Sequence, residues 1–320
     1  MTIKIAILGL GVMGKNHLRI LSMLKDVEVS HIFDVDKMLL AQLSKQYNVP
    51  STTDACVAIE GADAVVIVTP TSTHYEYFKL CVGKVNNIFI EKPIAADYEQ
   101  ALEIRALAAQ HNSFIQCGFI ERFNPVVSEL KRIVDDEVVI NVDFTRTNRL
   151  SNRITDVNVV LDLMIHDIDL ALHINGPVDK VFAYGKKENG IAAFASAIFY
   201  HANGAMSRLL ASRMTEKKIR SIAVTTENLY LEAELFKKEI TIHKQSKISQ
   251  EEGKYYTISS VEQQVEVKSQ EALLLELQAF IARCNGSDID VPDVHAGVES
   301  LRISQLILDQ IACAGRDCFL

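Results

Sequence analysis

The apolar positions of the chain fall into two regimes. From residue 1 to about 120, short continuous apolar runs alternate with helical patterns. Residues 3–8, 27–33, 64–68, 87–90 and 113–118 read as strands. Between them, 15–24, 38–47 and 97 to about 111 read as helices, the last with Asp97 as N-cap and Gln100 at the capping-box position. Continuous apolar strands interleaved with helices predict a doubly wound parallel sheet covered on both faces, of the Rossmann kind.

The pattern changes at Phe119. Pro125 can begin a helix over 126–134, residues 138–147 alternate as a strand, and a helix over roughly 159–174 stops before Gly176-Pro177. Residues 180–186, 192–201, 205–214, 219–225 and 229–236 then read as strands, with 255–258 and 264–267 as a further pair. Asn203-Gly204 supplies the residues of a type I′ hairpin turn. Two late helices follow, over 271–285 and 296–313. The expected organisation is therefore a Rossmann domain, 1–120, followed by an α+β domain, 121–320, with a large, mostly antiparallel open sheet. One face of that sheet packs on helices and the other is available to a second copy, giving a homodimer or homotetramer.

Composition narrows the partners. A chain of 320 residues with 48% apolar and 23% charged residues is a globular protein of two domains. A net charge of −8 without a dense Lys/Arg block argues against nucleic acid or an anionic membrane as the main partner. No apolar run is long enough to span a bilayer, and Lys4 interrupts the N-terminal run where a signal peptide would continue. Cys56, Cys81, Cys117, Cys284, Cys313 and Cys318 are scattered with no C-x-x-C pair, which reads as reduced thiols of a cytoplasmic protein and no metal site.

The candidate chemistry begins at Gly9-Leu10-Gly11-Val12-Met13-Gly14, between the first strand and the first helix, with Asp34 ending the next apolar run. This is a dinucleotide fingerprint in its proper context. Gly9 permits the tight turn, Gly11 the approach of a pyrophosphate, and Gly14 close packing of helix on strand. Asp34 is placed to accept from ribose hydroxyls, and with Asp36 it disfavours the extra phosphate of NADP, so NAD is the expected cofactor. Ligands in such sheets lie outside the carboxyl ends of the strands, which adds Thr69-Pro70-Thr71, His74 and Glu91-Lys92-Pro93 to the same crevice. Proline keeps Lys92 out of the helical region, and its ammonium can stabilise developing alkoxide charge; the plain alternative is a solvated surface lysine. Asp162 and His166, at i and i+4, present a carboxylate and a general base on one helix face, or else form an ordinary helix-surface pair.

In this order, the fingerprint, Thr69-Pro70…His74, Glu91-Lys92-Pro93 and Asp162-x-x-x-His166-x-x-Asp169 resemble the glucose–fructose oxidoreductase / inositol dehydrogenase / MocA family. The resemblance covers essentially the whole chain, including Val291-Pro292…Gly297-Val298…Leu301. It implies an NAD(P)-binding first domain and an open-sheet second domain that supports oligomers. It further implies Lys92 as catalytic lysine, His166 as proton acceptor, Asp162 as its companion, His74 and Thr69 along the cofactor cleft, and Glu91 near the nicotinamide ribose. The stretches 118–125, with Arg122 and Asn124, and 153–169 are similar to the subgroup that oxidises C3 of UDP-N-acetylhexosamines. Arg146, Arg149 and Arg153 cluster ahead of Asp162, and guanidinium forks match a diphosphate; an exposed basic loop is the alternative. The resemblance thus implies an NAD-dependent dehydrogenase of a UDP-sugar whose 3-keto product an aminotransferase takes up. A free polyol or sugar as substrate, or a non-catalytic sensor of NAD and a sugar nucleotide, are the competing readings.

Overall fold

The computed structural model describes residues 2–149, 157–249 and 257–313. In chain order its elements are β1 (Ile3–Leu8), α1 (Val12–Leu21), β2 (Val27–Phe33), α2 (Lys37–Tyr47), β3 (Ser51–Thr52), α3 (Ala55–Ile59), β4 (Ala64–Ile67), α4 (His74–Cys81), β5 (Asn87–Glu91), α5 (Tyr98–Gln110) and β6 (Phe114–Gly118). There follow α6 (Pro125–Val134), β7 (Val139–Thr147), a π turn (Val160–Met164), α7 (Ile165–Asn175), β8 (Val178–Glu188), β9 (Ile191–His201), β10 (Met206–Ser212), β11 (Ile219–Thr226), β12 (Leu229–Glu234), β13 (Glu239–Ser249), β14 (Thr257–Val265), α8 (Ala272–Cys284) and α9 (Val294–Cys313).

The chain divides into two units, Met1–Phe123 with Glu271–Arg302, and Asn124–Gln270 with Ile303–Leu320. The first holds a parallel sheet in the order β3-β2-β1-β4-β5-β6, the strand order of a dinucleotide-binding fold. Its inner strands are buried on both sides, with Ile5, Ile7, Val65, Val66, Ile88 and Phe89 fully inaccessible, as the continuous apolar runs require. Asp36, Asp54 and Asp97 each cap the helix that follows by accepting backbone N–H groups, worth about 1 kcal/mol apiece. A division at residue 120 assigns 271–302 to the later domain, but α8 belongs with the first unit. Leu273, Leu277, Phe280 and Ile281 enter its core, Phe280 meets Phe89 edge-on at 5.6 Å, and Arg19 of α1 pairs with Glu271. Burial pushes the Cys81 and Cys284 thiols up to about 12, so both stay protonated at neutral pH.

The second unit holds a sheet in the order β14-β13-β12-β11-β7-β10-β9-β8. Its neighbours are antiparallel except β7 and β10, which run parallel. Val142, Phe144, Phe199, Leu209, Val224 and Leu231 line one face and share a core with Val127 and Leu130 of α6, Ile168 of α7 and Ile307 of α9. The opposite face exposes Phe182, Tyr184 and Tyr200. Two expectations change here. The type I′ turn is at Asn189-Gly190, where both residues have positive φ. At Asn203-Gly204 only Gly204 does, and Asn203 Oδ1 instead accepts the Ala205 N–H at 3.0 Å. And 255–258 and 264–267 are not two paired strands: β14 is one strand, paired with β13. Residues 239–249 hide their strand character because apolar Ile240 and Ile242 sit among polar neighbours; Tyr255 lies outside the described residues.

Candidate active site

In the first unit, the fingerprint turn is shaped by three glycines with three different reasons. Gly9 has φ +97°, and a Cβ there would come within 2.7 Å of the Val68–Thr69 backbone. A Cβ on Gly14 would lie 2.1 Å from the Gly9 carbonyl oxygen. A Cβ on Gly11 meets open space, the room an approaching phosphate needs. Helix α1 starts at Val12 with no side-chain cap and no acidic residue in its first turn, unlike the aspartate-capped α2, α3 and α5. Its first N–H groups and the positive end of its dipole are therefore left for an anion.

Asp34 clamps the same turn. Its Oδ2 accepts the Leu10 N–H at 2.7 Å and its Oδ1 the Asp36 N–H at 3.0 Å. A carboxylate has about four acceptor positions, so ribose hydroxyls can still be accommodated. Asp36 acts as the cap of α2 through Met38 and Leu39. The residues present thus fit a bound dinucleotide. Gly11→Ala is expected to leave the melting temperature almost unchanged, because the methyl meets no atom, while weakening NAD at least about tenfold, roughly 1.4 kcal/mol. Calorimetric titration beside a thermal melt checks both; unchanged affinity would mean the pyrophosphate does not pass over Gly11.

The ends of β4 and β5 carry the next residues. His74, at the start of α4, is 1% exposed. Its Nδ1 lies 2.9 Å from the Pro93 carbonyl oxygen and its Nε2 2.8 Å from that of Thr69. It ties the Thr69-Pro70-Thr71 segment to the Glu91-Lys92-Pro93 segment. Burial pushes its pKa down, and the two carbonyls pull the other way. Thr69 also accepts from the Thr73 hydroxyl at 2.9 Å. Lys92 is half-buried and joined to Pro93 by a cis peptide. Glu91 is buried, its Oε1 at 2.8 Å from His17 Nε2 and its Oε2 accepting the Lys92 N–H at 3.2 Å. Sequence reasoning passed over His17. The available signal was a histidine three residues beyond Gly14, on the buried face of α1.

In the second unit, the spacing of Asp162 and His166 predicted one face of a regular helix. The chain instead winds a π turn over Val160–Met164, in which the Ile165 N–H reaches back to the Val160 carbonyl, before α7 begins. Such wide turns recur at functional sites. Asp162 Oδ2 accepts from Arg213 Nη2 at 2.6 Å, and Arg213 also donates to the Val157 carbonyl. Arg213, just past β10, gave no local sign in the sequence. Arg146, expected on a diphosphate, is 2% exposed. Its Nε donates to both carboxylate oxygens of Asp167, at 2.9 and 3.1 Å, and its Nη2 to one at 2.7 Å. Arg149 is exposed and pairs with Glu216. Asn124 Oδ1 caps α6 through the Val126 N–H at 3.1 Å, and Arg122 belongs to a 3₁₀ turn, Ile120–Phe123. Arg153 lies outside the described residues. Among the described residues, no group of three or more His, Cys, Asp or Glu is placed to hold a metal ion, and no helix is long and apolar enough to cross a membrane.

An oxidoreductase family with an NAD-binding Rossmann fold matches residues 3–119, and the Gfo/Idh/MocA C-terminal domain matches residues 131–231. The chain belongs to the Gfo/Idh/MocA family. As a Gfo/Idh/MocA protein it is an NAD-dependent oxidoreductase. Among its relatives, the UDP-N-acetylglucosamine 3-dehydrogenase of Acidithiobacillus ferrooxidans is 24% identical over 278 residues, 86% of each chain. The scyllo-inositol 2-dehydrogenase (NAD(+)) of Bacillus subtilis is 25% identical over 319 residues, 92% of this chain and 90% of its own. A solved structure of the Acidithiobacillus enzyme superposes with a TM-score of 0.87 at 23% identity, over 97% of this chain and 98% of that one, which establishes the shared Gfo/Idh/MocA fold.

Proposed function

We propose that this oxidoreductase oxidises C3 of UDP-N-acetylglucosamine, or of a related UDP-sugar, removing a hydride from C3 and a proton from the 3-hydroxyl to give the 3-keto sugar. The observation that carries the reading is the likeness to UDP-N-acetylglucosamine 3-dehydrogenase over 86% of both chains. The sequence similarity of 118–125 and 153–169 to that subgroup supports it. NAD, when bound, supplies the hydride acceptor. The open space over Gly11 and the uncapped start of α1 hold its pyrophosphate, and Asp34 its adenosine ribose. His166 takes the proton from the 3-hydroxyl oxygen, and the Lys92 ammonium donates a hydrogen bond to that oxygen as negative charge develops. Asp162, itself gripped by Arg213, accepts from a neighbouring sugar hydroxyl. A 3-keto product is a substrate for transamination, so a downstream aminotransferase is the chemically natural consumer. The exposed Phe182, Tyr184 and Tyr200 support pairing of copies through the open sheet.

The relative that oxidises scyllo-inositol, alike over a still larger share of this chain, favours a free polyol as the second reading. NADH formation across UDP-N-acetylglucosamine, its uronate, myo-inositol and glucose separates the two. Turnover is expected with a UDP-sugar; turnover confined to inositol or glucose, with none for any UDP-sugar, would replace the first reading by the second.

A further inference from the structure

Lys92 has its backbone anchored from two sides by buried imidazoles. On one side stands His74, holding the Pro93 carbonyl. On the other stands His17, wholly buried within α1, at 2.8 Å from the Glu91 carboxylate. The His17 ring is fixed against Phe89, edge to face with centroids 5.2 Å apart. Its Nδ1 is buried with no hydrogen-bond partner among the described residues. A carboxylate oxygen only accepts, so the contact is held by a hydrogen on His17 Nε2, donated to Glu91 Oε1. The second carboxylate oxygen accepts the Lys92 N–H. Gly118 leaves room for this arrangement, since a Cβ there would stand 2.9 Å from Glu91 Oε2 and 3.0 Å from Glu91 Cα.

A buried carboxylate is costly to keep, and this one occupies the position immediately before Lys92. We propose that His17 and Glu91 are positioning residues for Lys92. His17, on the helix that begins at the dinucleotide turn, holds the Glu91 side chain, and Glu91 fixes the backbone from which the lysine departs. The turn that binds NAD and the base of the lysine are thereby set in one frame. The inference rests on the reading of Lys92 as the donor to the reacting oxygen. A shift of about 1 Å at such a donor can cost about a hundredfold in rate.

The test compares full-length His17→Leu, His17→Gln, Glu91→Gln, Lys92→Ala and the pair His17→Leu/Lys92→Ala on the substrate found by the panel above. His17→Leu is expected to lower kcat about 10- to 100-fold with the Kd for NAD within about threefold. His17→Gln, which keeps an N–H donor, is expected to recover most of kcat. The pair is expected to be no slower than Lys92→Ala alone, since a residue that acts through Lys92 has nothing left to position. A His17→Leu rate within about twofold of the parent, or the same fold loss repeated in the Lys92→Ala background, overturns the proposal. Where His17→Leu does not fold, Glu91→Gln decides. Its amide can still accept from His17 but turns an N–H toward the Lys92 N–H, so kcat should fall; a rate within about twofold overturns the proposal. A normal rate for Lys92→Ala would instead sink the reading of Lys92 itself, an outcome distinct from an inactive Lys92→Ala beside an unimpaired His17→Leu.

Discussion

Lys92→Ala is expected to reduce turnover by about 10²–10⁴ while NAD still binds, and His166→Ala to do the same, because in the proposed mechanism each removes a group that acts on the hydroxyl proton or its oxygen. Neither change touches Gly9–Gly14 or Asp34, which set the dinucleotide turn. NADH formation under saturating substrate, with NAD affinity measured separately, is the check. The loss should appear in kcat and kcat/KM together, the mark of an interaction made in the transition state. Near-normal turnover in either variant would remove that residue from the mechanism and leave the other standing.

The second large effect concerns stability. Arg146 and Asp167 are both almost wholly buried, at 2% and 3% exposure, and form a direct ion pair at 2.7 Å, so removing one takes from the other its charged partner in a buried site. Arg146→Met is expected to destabilise the fold by about 3–5 kcal/mol, a fall in melting temperature of roughly 6–20 °C for a unit of this size. Pairing it with Asp167→Leu should restore much of the loss, since a buried ion pair is often replaceable by apolar residues of similar volume. Thermal melts of the single and double variants decide this. A role for Arg146 on a substrate diphosphate would show differently, as a raised KM at an unchanged melting temperature.

That pair also shows where sequence reasoning stopped. Arg146, Arg149 and Arg153 look like one basic cluster when only their spacing is counted. On β7, however, Val142, Phe144 and Arg146 share one side of the strand by simple alternation, and that side is the core. The pattern therefore contained the answer, and the chemistry of guanidinium forks obscured it. The strands of the first unit were legible because parallel strands buried on both faces leave unbroken runs such as Ala64 to Ile67. Strand β13 was not, because a strand near the sheet margin keeps polar residues at most of its positions. The fingerprint turn and Glu91-Lys92-Pro93 were legible because local backbone demands fix their residues. Their partners were not: His17 reaches Glu91, and Arg213 reaches Asp162, across many residues of intervening chain, and no local pattern reports such a contact.

The parallel pairing of β7 with β10 in an otherwise antiparallel sheet has a bearing on how such proteins diversify. Parallel neighbours cannot be joined by a tight turn, so between Thr147 and Met206 the chain leaves β7, passes through the π turn and α7 with Asp162 and His166, and returns by way of β8 and β9 before it reaches β10. Doubling the length of a flexible connection costs only about 0.6 kcal/mol in closure entropy. That allowance does not extend to α7, β8 and β9, whose side chains fill the core of the unit. It applies to the chain between elements, such as that between β7 and the π turn, where length can change while the strands that hold the unit together stay in register.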